Sequence, residues 1–140
     1  MDGVNGITEC PIAPTKQKVY QFRATQYGTS WYHSHHSSQY GEGMVGAIVI
    51  DGPATSDYDV DLGPLILSDW YTDPVWMLNY RAVHFAGRPP PSQNVLINGT
   101  HINKNGGGAY KRINVEKGKK YRLRLINTAV DHFFHVSMDK

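Results

Sequence analysis

The stretch GTSWYHSHHSSQYGEGMVGAIVIDGP, residues 28–53, places two β-prone segments on either side of a polar, glycine-bearing turn. Residues 30–35 and 45–50 contain the aromatic and β-branched types that strands favour. Gly41 and Gly43 interrupt the apolar pattern between them, as turn residues do. The stretch therefore predicts two strands joined by a turn.

The same alternation of short β-prone segments and turns continues on both sides. Further strands are predicted at residues 19–24, 64–68, 94–98, 112–116, 120–126 and 132–138. Residues 74–85 are the exception, because Pro74 suits a first helical turn and Trp76, Tyr80 and Val83 recur at helical spacing. Residues 51–64 are polar and acidic, with Pro and Gly, and are expected to form a linker. The pattern predicts an all-β chain with one short helix.

Composition excludes several classes of protein. The chain has 140 residues, 40% of them hydrophobic, which is typical of a folded chain of about one domain's length. Its longest apolar run, residues 44–50, is far below the roughly 18 residues of a membrane span, so no membrane partner is expected. In the basic segment 111–125, Arg122 and Arg124 alternate with apolar residues and are expected on a solvated strand face. No nucleic-acid partner is expected either.

The pair His33 and His35 is the main candidate for chemistry. Residues two apart on a strand share a face, with Cα atoms about 6.6–6.8 Å apart, whereas His36 points the other way. Neutral imidazoles suit Cu, Zn, Fe and Ni, and affinity favours Cu(II). The alternative is a hydrogen-bonded or solvated pair on an edge strand. The remaining histidines match no ligand motif and are not expected to bind metal: His84, His101, His132 and His135.

Cys10 and Asn98 bear on whether the protein is secreted. Cys10 is the single cysteine, so it forms no disulfide within the chain, and in a secreted protein an odd cysteine implies a partner elsewhere. Asn98-Gly99-Thr100 is an acceptor sequence for a glycan in a secreted protein. The first ten residues show no secretory signal. The glycan acceptor sequence nevertheless favours secretion.

Several motifs of the sequence resemble those of a known family, the multicopper oxidases, and are most similar to the motifs of fungal laccases of the ascomycete type. GTSWYHSH at 28–35 and the QYGEGMVGAIVIDGP that ends at 53 resemble the family's second copper-binding segment. MDGVNGITECPIAP at 1–14 resembles the stretch that follows the first copper segment. NVLINGT at 94–100 and KKYRLRLINTAVDHFFHVSMD at 119–139 resemble strands of the second laccase domain.

The resemblance implies an internal fragment with a cupredoxin-like Greek-key β-sandwich or barrel fold. Residues 1–54 would be the C-terminal part of a first plastocyanin-like domain, and residues 55–140 the N-terminal part of a second. His33 and His35 would ligate the type 3 copper pair, and Asp2 would be an acid beside the trinuclear cluster. Cys10 would form a disulfide with a residue outside the fragment.

The implied parent enzyme is a secreted, glycosylated laccase with four copper ions of types 1, 2 and 3. It would couple one-electron oxidation of phenolic substrates, lignin-derived phenols among them, to reduction of O2 to water. Two imidazoles cannot hold three coppers, so the fragment alone is expected to be inactive. The alternatives are another multicopper oxidase, acting on metal ions or pigment precursors, and a secreted β-sandwich module that binds Zn or Cu without redox turnover.

Overall fold

Strands dominate residues 3–139, which the computed structural model describes. The prediction of an all-β chain with one short helix is confirmed. Within the described part of the chain, no helix is long and apolar enough to cross a membrane. The elements are β1 (Gly28–His33), β2 (Val45–Ile50), β3 (Val60–Trp70), α1 (Val75–Arg81), β4 (Asn94–Ile97) and β5 (Tyr121–Asn127), with a 3-10 turn at Gln39–Glu42 and a π-helical turn at Ala82–Ala86.

The first sheet is the antiparallel pair of β1 and β2. Its register runs from Gly28 opposite Ile50 to His33 opposite Val45, so His33 lies at the end where the strands are connected. Gly46 stands opposite Tyr32, and a Cβ at Gly46 would lie 2.4 Å from the Tyr32 ring. The glycine is therefore required by the packing of the tyrosine on the strand that carries His33.

The second sheet has the order β4-β3-β5, with β4 antiparallel and β5 parallel to β3. The prediction of a linker over 51–64 is wrong for its last residues, because β3 begins at Val60. Gly63 has a φ of 76° and donates its N–H to Asp61 Oδ1 (2.8 Å), which forms a bulge before Pro64. Since β4 pairs only from Leu67 onward, this part of β3 tolerates proline and acids.

Three predicted strands, at 19–24, 112–116 and 132–138, are not strands in the structure. Val19 and Phe22 remain 74% and 69% exposed. A β-prone segment becomes a strand only when a neighbour supplies a ladder of backbone hydrogen bonds and cross-strand contacts, and no strand of the described residues pairs with these segments in a sheet. The predictions were wrong because composition indicates strand propensity and not the pairing partner.

The apolar core is small for a chain of this length. Among residues 3–139, the buried hydrophobic side chains are Leu67, Tyr71, Val75 and Ile126. They come from β3, the start of α1 and β5. The accessible area is 11452 Å², against roughly 7300 Å² for a compact protein of this mass. The fold therefore leaves much of its apolar surface exposed.

Arg124 on β5 is buried, which makes its predicted place on a solvated face wrong. Its Nε donates to Asp61 Oδ2 at 2.8 Å and its Nη1 donates to Thr29 Oγ1 at 2.9 Å. Leu125 is instead half exposed. The pairing with Asp61 lowers the pKa of that carboxyl and raises the pKa of the guanidinium. The buried face of β5 thus carries Arg124, paired with an acid of the neighbouring strand, beside the apolar Ile126.

Asn98 ties β4 to β3 through its side chain and lies in the left-handed region with a φ of 46°. Its Oδ1 accepts the Ile66 N–H at 2.7 Å, and its Nδ2 lies 3.4 Å from the Pro64 carbonyl oxygen. The Asn98 carboxamide therefore bonds to backbone groups of β3 at the point where the Asn-Gly turn ends β4.

We expect Asn98→Gly to lower the free energy of unfolding of the full-length protein by about 1–3 kcal/mol, because the Ile66 N–H loses its acceptor. Glycine keeps the left-handed conformation available, and comparison with an Asn→Gly change elsewhere removes the entropy that glycine adds to the unfolded chain. Both proteins are measured after glycan removal, so that the difference reports on the carboxamide. Denaturant unfolding measures the change, with Asn114→Gly on an exposed segment as the control. An Asn98→Gly variant as stable as the wild type would contradict this role.

Candidate metal centre

His33 and His35 are brought together at the connected end of the first sheet. His33 is the last residue of β1, and His35 follows two positions later, outside the strand. The centroids of the two rings are 5.9 Å apart, with an angle of 31° between the planes. Both side chains are exposed. The two imidazoles are therefore close to each other and open to a metal or to further protein.

Aromatic side chains hold the His33 ring on both its strand and its turn side. The Trp31 ring centroid lies 4.3 Å from that of His33, and the Tyr40 centroid lies 5.6 Å from it. Trp31 and Tyr40 also meet each other at 6.4 Å in an edge-on arrangement. Such ring contacts limit the rotamers of His33 and so give a ligand atom a defined position before any metal binds.

Hydrogen bonds fix the backbone between the two histidines. His33 Nδ1 lies 3.1 Å from the Ser34 carbonyl oxygen; as donor there, it leaves the lone pair on Nε2. The Ser34 hydroxyl donates to Gln39 Oε1 at 2.6 Å and accepts the His36 N–H at 3.1 Å. The Ser34 N–H bonds to the Met44 carbonyl. The residue between the two histidines is therefore tied to the turn and to the start of β2.

The donor set fits copper as part of a shared site. Imidazole nitrogens are good ligands for copper, and His33 presents Nε2 in the tautomer that its carbonyl contact favours. Across residues 3–139, no three His, Cys, Asp or Glu side chains come close enough to enclose a metal ion. The histidine pair therefore supplies part of a coordination sphere. Asp2, predicted from the resemblance as a neighbouring acid, lies outside the described residues.

Cys10 and Asn98 were predicted as modification sites, and His132 as a histidine without a ligand role. Cys10 is exposed and makes no disulfide in the described chain. Asn98 lies at the end of β4. His132 pairs with Asp69, its Nδ1 3.1 Å from Oδ2. The structure thus gives the His132 ring a carboxylate partner and leaves the Cys10 thiol accessible.

The sequence interpretation missed Asp69, the most enclosed carboxylate of the described residues, with a side chain only 1% exposed. It accepts the Val130 and Asp131 N–H groups at 3.0 and 3.2 Å, and the Tyr71 hydroxyl at 3.1 Å. Burial alone would raise the pKa of Asp69, but these bonds and His132 hold it below its usual value. Burial and the nearby Asp69 charge raise the pKa of Tyr71. The sequence did carry a signal for this buried acid, because Asp69 stands near the end of an otherwise apolar strand.

Comparison with known proteins identifies the family. Two multicopper oxidase profiles match residues 1–55 and 61–140. The chain is 61% identical to Laccase-3 of Botryotinia fuckeliana over 99% of its own length and 58% identical to a laccase of Neurospora crassa over 98%. It spans 31% and 22% of the lengths of these two relatives.

The structural comparison agrees. The crystal structure of the laccase from Botrytis aclada matches 93% of this chain with a TM-score of 0.81 and 47% identity, and the match covers 25% of that laccase. The predicted cupredoxin-like, all-β fold is thereby confirmed. Profiles that together match nearly all residues, high sequence identity and a shared architecture lead to one conclusion: the chain belongs to the multicopper oxidase family.

Proposed function

We propose that this chain is the part of a laccase-type multicopper oxidase that supplies two imidazole ligands, His33 and His35, to its type 3 copper pair. The observation that carries the proposal is the placement of the two rings 5.9 Å apart at the end of a strand whose side chains brace His33. One ligand goes to each copper of the pair. The remaining ligands come from polypeptide outside residues 1–140.

When bound, four coppers of types 1, 2 and 3 supply the redox chemistry that joins one-electron oxidation of phenols to four-electron reduction of O2. The protein's own residues orient the ligands. Trp31 and Tyr40 hold the ring of His33, and the Ser34 carbonyl favours the tautomer with a free Nε2. Residues 1–54 and 55–140 belong to two successive domains in this proposal.

The same proposal places the enzyme outside the cell. Cys10 is exposed, so its thiol is open to a disulfide with a distant part of the protein. Asn98 is the proposed glycan site, and its Nδ2, the atom that would carry the sugar, faces the Pro64 carbonyl at 3.4 Å. Intact-mass measurement of the secreted protein, before and after glycan removal and reduction, reports on both modifications.

The test of the function is the metal content and O2 uptake of the full-length protein. We expect four coppers per molecule and one O2 consumed for every four one-electron phenol oxidations. A full-length protein that holds zinc and consumes no O2 would instead support the non-redox binding module. Turnover of a metal ion or a pigment precursor in preference to simple phenols would support another multicopper oxidase.

We also propose that Asp2 is an ionised carboxylate beside the copper ligands that orients water and supports proton delivery during O2 reduction. An acid next to concentrated positive charge stays ionised, orients water and raises the basicity of the groups that it touches. Asp2→Ala is therefore expected to slow O2 reduction by at least tenfold, at the low end of the effect of an outer-shell ligand partner. Phenol oxidation under single-turnover conditions should change much less.

The two half-reactions of the Asp2 variant are separated by stopped-flow measurement of reduction by phenol and of reoxidation by O2. Asp2→Asn, which keeps the shape of the side chain without its charge, should show the same slow reoxidation. If both variants are reoxidised by O2 at the wild-type rate, Asp2 has no role in O2 reduction and only forms the turn before Gly3.

A further inference from the structure

The hairpin formed by β1, β2 and their connection, residues 28–50, is attached to the rest of the structure at both of its ends. The open end, where Gly28 stands opposite Ile50, meets Arg124 of β5 through Thr29. The connecting end, which carries the histidine pair, meets the first turn of α1 through Glu42. The two attachments therefore lie at opposite ends of the hairpin that carries the histidines.

The attachment at the open end is a buried guanidinium with partners on three segments. Arg124 is 4% exposed at its side chain, and its Nη2 lies 2.6 Å from Asp61 Oδ2 and 3.7 Å from Asp51 Oδ1. Its Nη1 donates to Thr29 Oγ1 at 2.9 Å. One planar group therefore hydrogen-bonds to β1 through Thr29, lies near the exposed Asp51 that follows β2, and joins this end of the hairpin to Asp61 of β3.

The attachment at the connecting end is a carboxylate that caps a helix. Glu42 Oε1 accepts the Val75 N–H at 2.5 Å and lies 3.4 Å from the Trp76 N–H, two groups that the first turn of α1 leaves without helical partners. Beside it, a Cβ on Gly41 would lie 2.8 Å from side-chain atoms of both Val75 and Val130. The connection is therefore in direct contact with α1.

A two-stranded element held at one end can still pivot about that end, whereas one held at both ends has a fixed orientation. Thr29 and His33 are separated by about 13 Å along β1, so a small rotation at Thr29 becomes a displacement of the order of an ångström at the imidazoles. Displacements of that size are enough to weaken a metal site. The orientation of the hairpin is thus a property on which a copper pair depends.

We propose that Arg124 and Glu42 are positioning residues that jointly orient His33 and His35 for the type 3 copper pair, an inference that rests on the proposed function. Neither residue contacts the histidines. Each acts through the hairpin, and each needs the other, because either attachment alone leaves a pivot. The two contacts also join the segments matched by the two family profiles, residues 1–55 and 61–140.

The test uses the full-length enzyme with Thr29→Val, Glu42→Ala and both together. Thr29→Val is nearly isosteric and removes only the hydroxyl that Arg124 reaches, so the Arg124–Asp61 pair remains. Copper retention against a chelator and the spectroscopic signature of the coupled copper pair are measured, with the blue type 1 band as internal reference. Each single variant is expected to bind the pair about tenfold more weakly, with the type 1 band unchanged.

Two comparisons separate positioning from a general loss of stability. Distant sites normally combine independently, which predicts about a hundredfold loss for the double variant. Two contacts that work only together predict a double variant close to the weaker single one. Glu42→Gln, which keeps the acceptor oxygen, is expected to restore wild-type copper binding. Arg81→Gln breaks only the exposed pair with Asp73 at 3.8 Å and serves as the control.

Wild-type copper binding in both single variants would overturn the inference, as would a hundredfold loss in the double variant. His33→Ala in the same enzyme tells this failure apart from failure of the proposed function. If His33→Ala abolishes the coupled pair while Thr29→Val and Glu42→Ala keep it, the histidines are ligands and the positioning role is wrong. If His33→Ala also keeps the pair, the proposed function itself is wrong.

Discussion

Replacing His33 or His35 by Ala in the full-length enzyme is expected to abolish O2 consumption and to leave the blue type 1 band in place. Each imidazole is the proposed ligand of one copper of the pair, and alanine offers no donor atom. Without either imidazole the site would hold its copper pair incompletely and would not supply the joint electron transfer that O2 reduction needs. Phenol oxidation is then limited to the electrons that the remaining coppers can store, so steady-state turnover should fall by at least a thousandfold.

The measurements are O2 uptake with a phenol, copper content per molecule, and the magnetic coupling of the pair. His36→Ala is the matched control, because His36 is a neighbouring exposed histidine that is predicted to face the other way. We expect it to keep more than half of the wild-type turnover. Normal O2 uptake in either His33→Ala or His35→Ala would refute the assignment of that residue as a ligand.

Removal of the Asp69 carboxylate is expected to produce the strongest loss of stability. Asp69→Ala leaves the N–H groups of Val130 and Asp131 and the hydroxyl of Tyr71 without their acceptor in a buried place. Each buried group left without its partner costs about 1–3 kcal/mol. We expect the turn that follows β5, residues 128–132, to detach first.

The pH dependence of this contribution follows from the lowered pKa of Asp69. Its ordinary value is 3.8, and the hydrogen bonds in the folded state hold it lower. A group whose pKa is lower in the folded state stabilises the protein above its unfolded pKa and loses that effect as the pH falls through the folded value. The stability difference between wild type and Asp69→Ala should therefore be constant from pH 7 to about pH 5 and shrink below about pH 4.

Amide hydrogen exchange of residues 127–132, followed as a function of pH in the full-length enzyme, measures this difference locally. Asp73→Ala is the control, because Asp73 is 60% exposed at its side chain and forms only a surface pair. A stability difference that grew toward pH 3 would mean that Asp69 is protonated in the folded state. Unchanged exchange in Asp69→Ala would show that the hydrogen bonds do not hold the turn.

Sequence pattern was most successful where it concerned strand propensity with a partner close by. Residues 45–50 were predicted as a strand and form β2 with the same bounds. The strand predicted at 30–35 is shifted by two residues and ends at His33, after which the Ser34 hydroxyl donates to the Gln39 side chain and accepts the His36 N–H of the turn. The helix predicted over 74–85 becomes α1 followed by a π-helical turn, Ala82–Ala86, which spacing alone does not reveal.

The candidate site divides in the same way. The proximity of His33 and His35 was predictable, since residues two apart on an extended chain share a side. The Tyr40 ring beside His33 and the contact of Glu42 with α1 were not, because both depend on how the connection folds back. Arg124 is the plainest case. Its alternation with leucines pointed to solvent, yet the acid on β3 draws it inside.

The strand-rich character of this protein and its histidine pair could be predicted from the sequence, because both depend on residue types at short spacing, and the family followed from the resemblance of whole motifs. The pairing of the strands, the buried face of β5 and the attachment of the histidine-bearing hairpin became known only from the folded chain. Those features arise from contacts between residues that lie far apart along the chain, such as Thr29 with Arg124 and Glu42 with Val75. Local spacing carries no information about such pairs, because their energy exists only once the chain has folded around them.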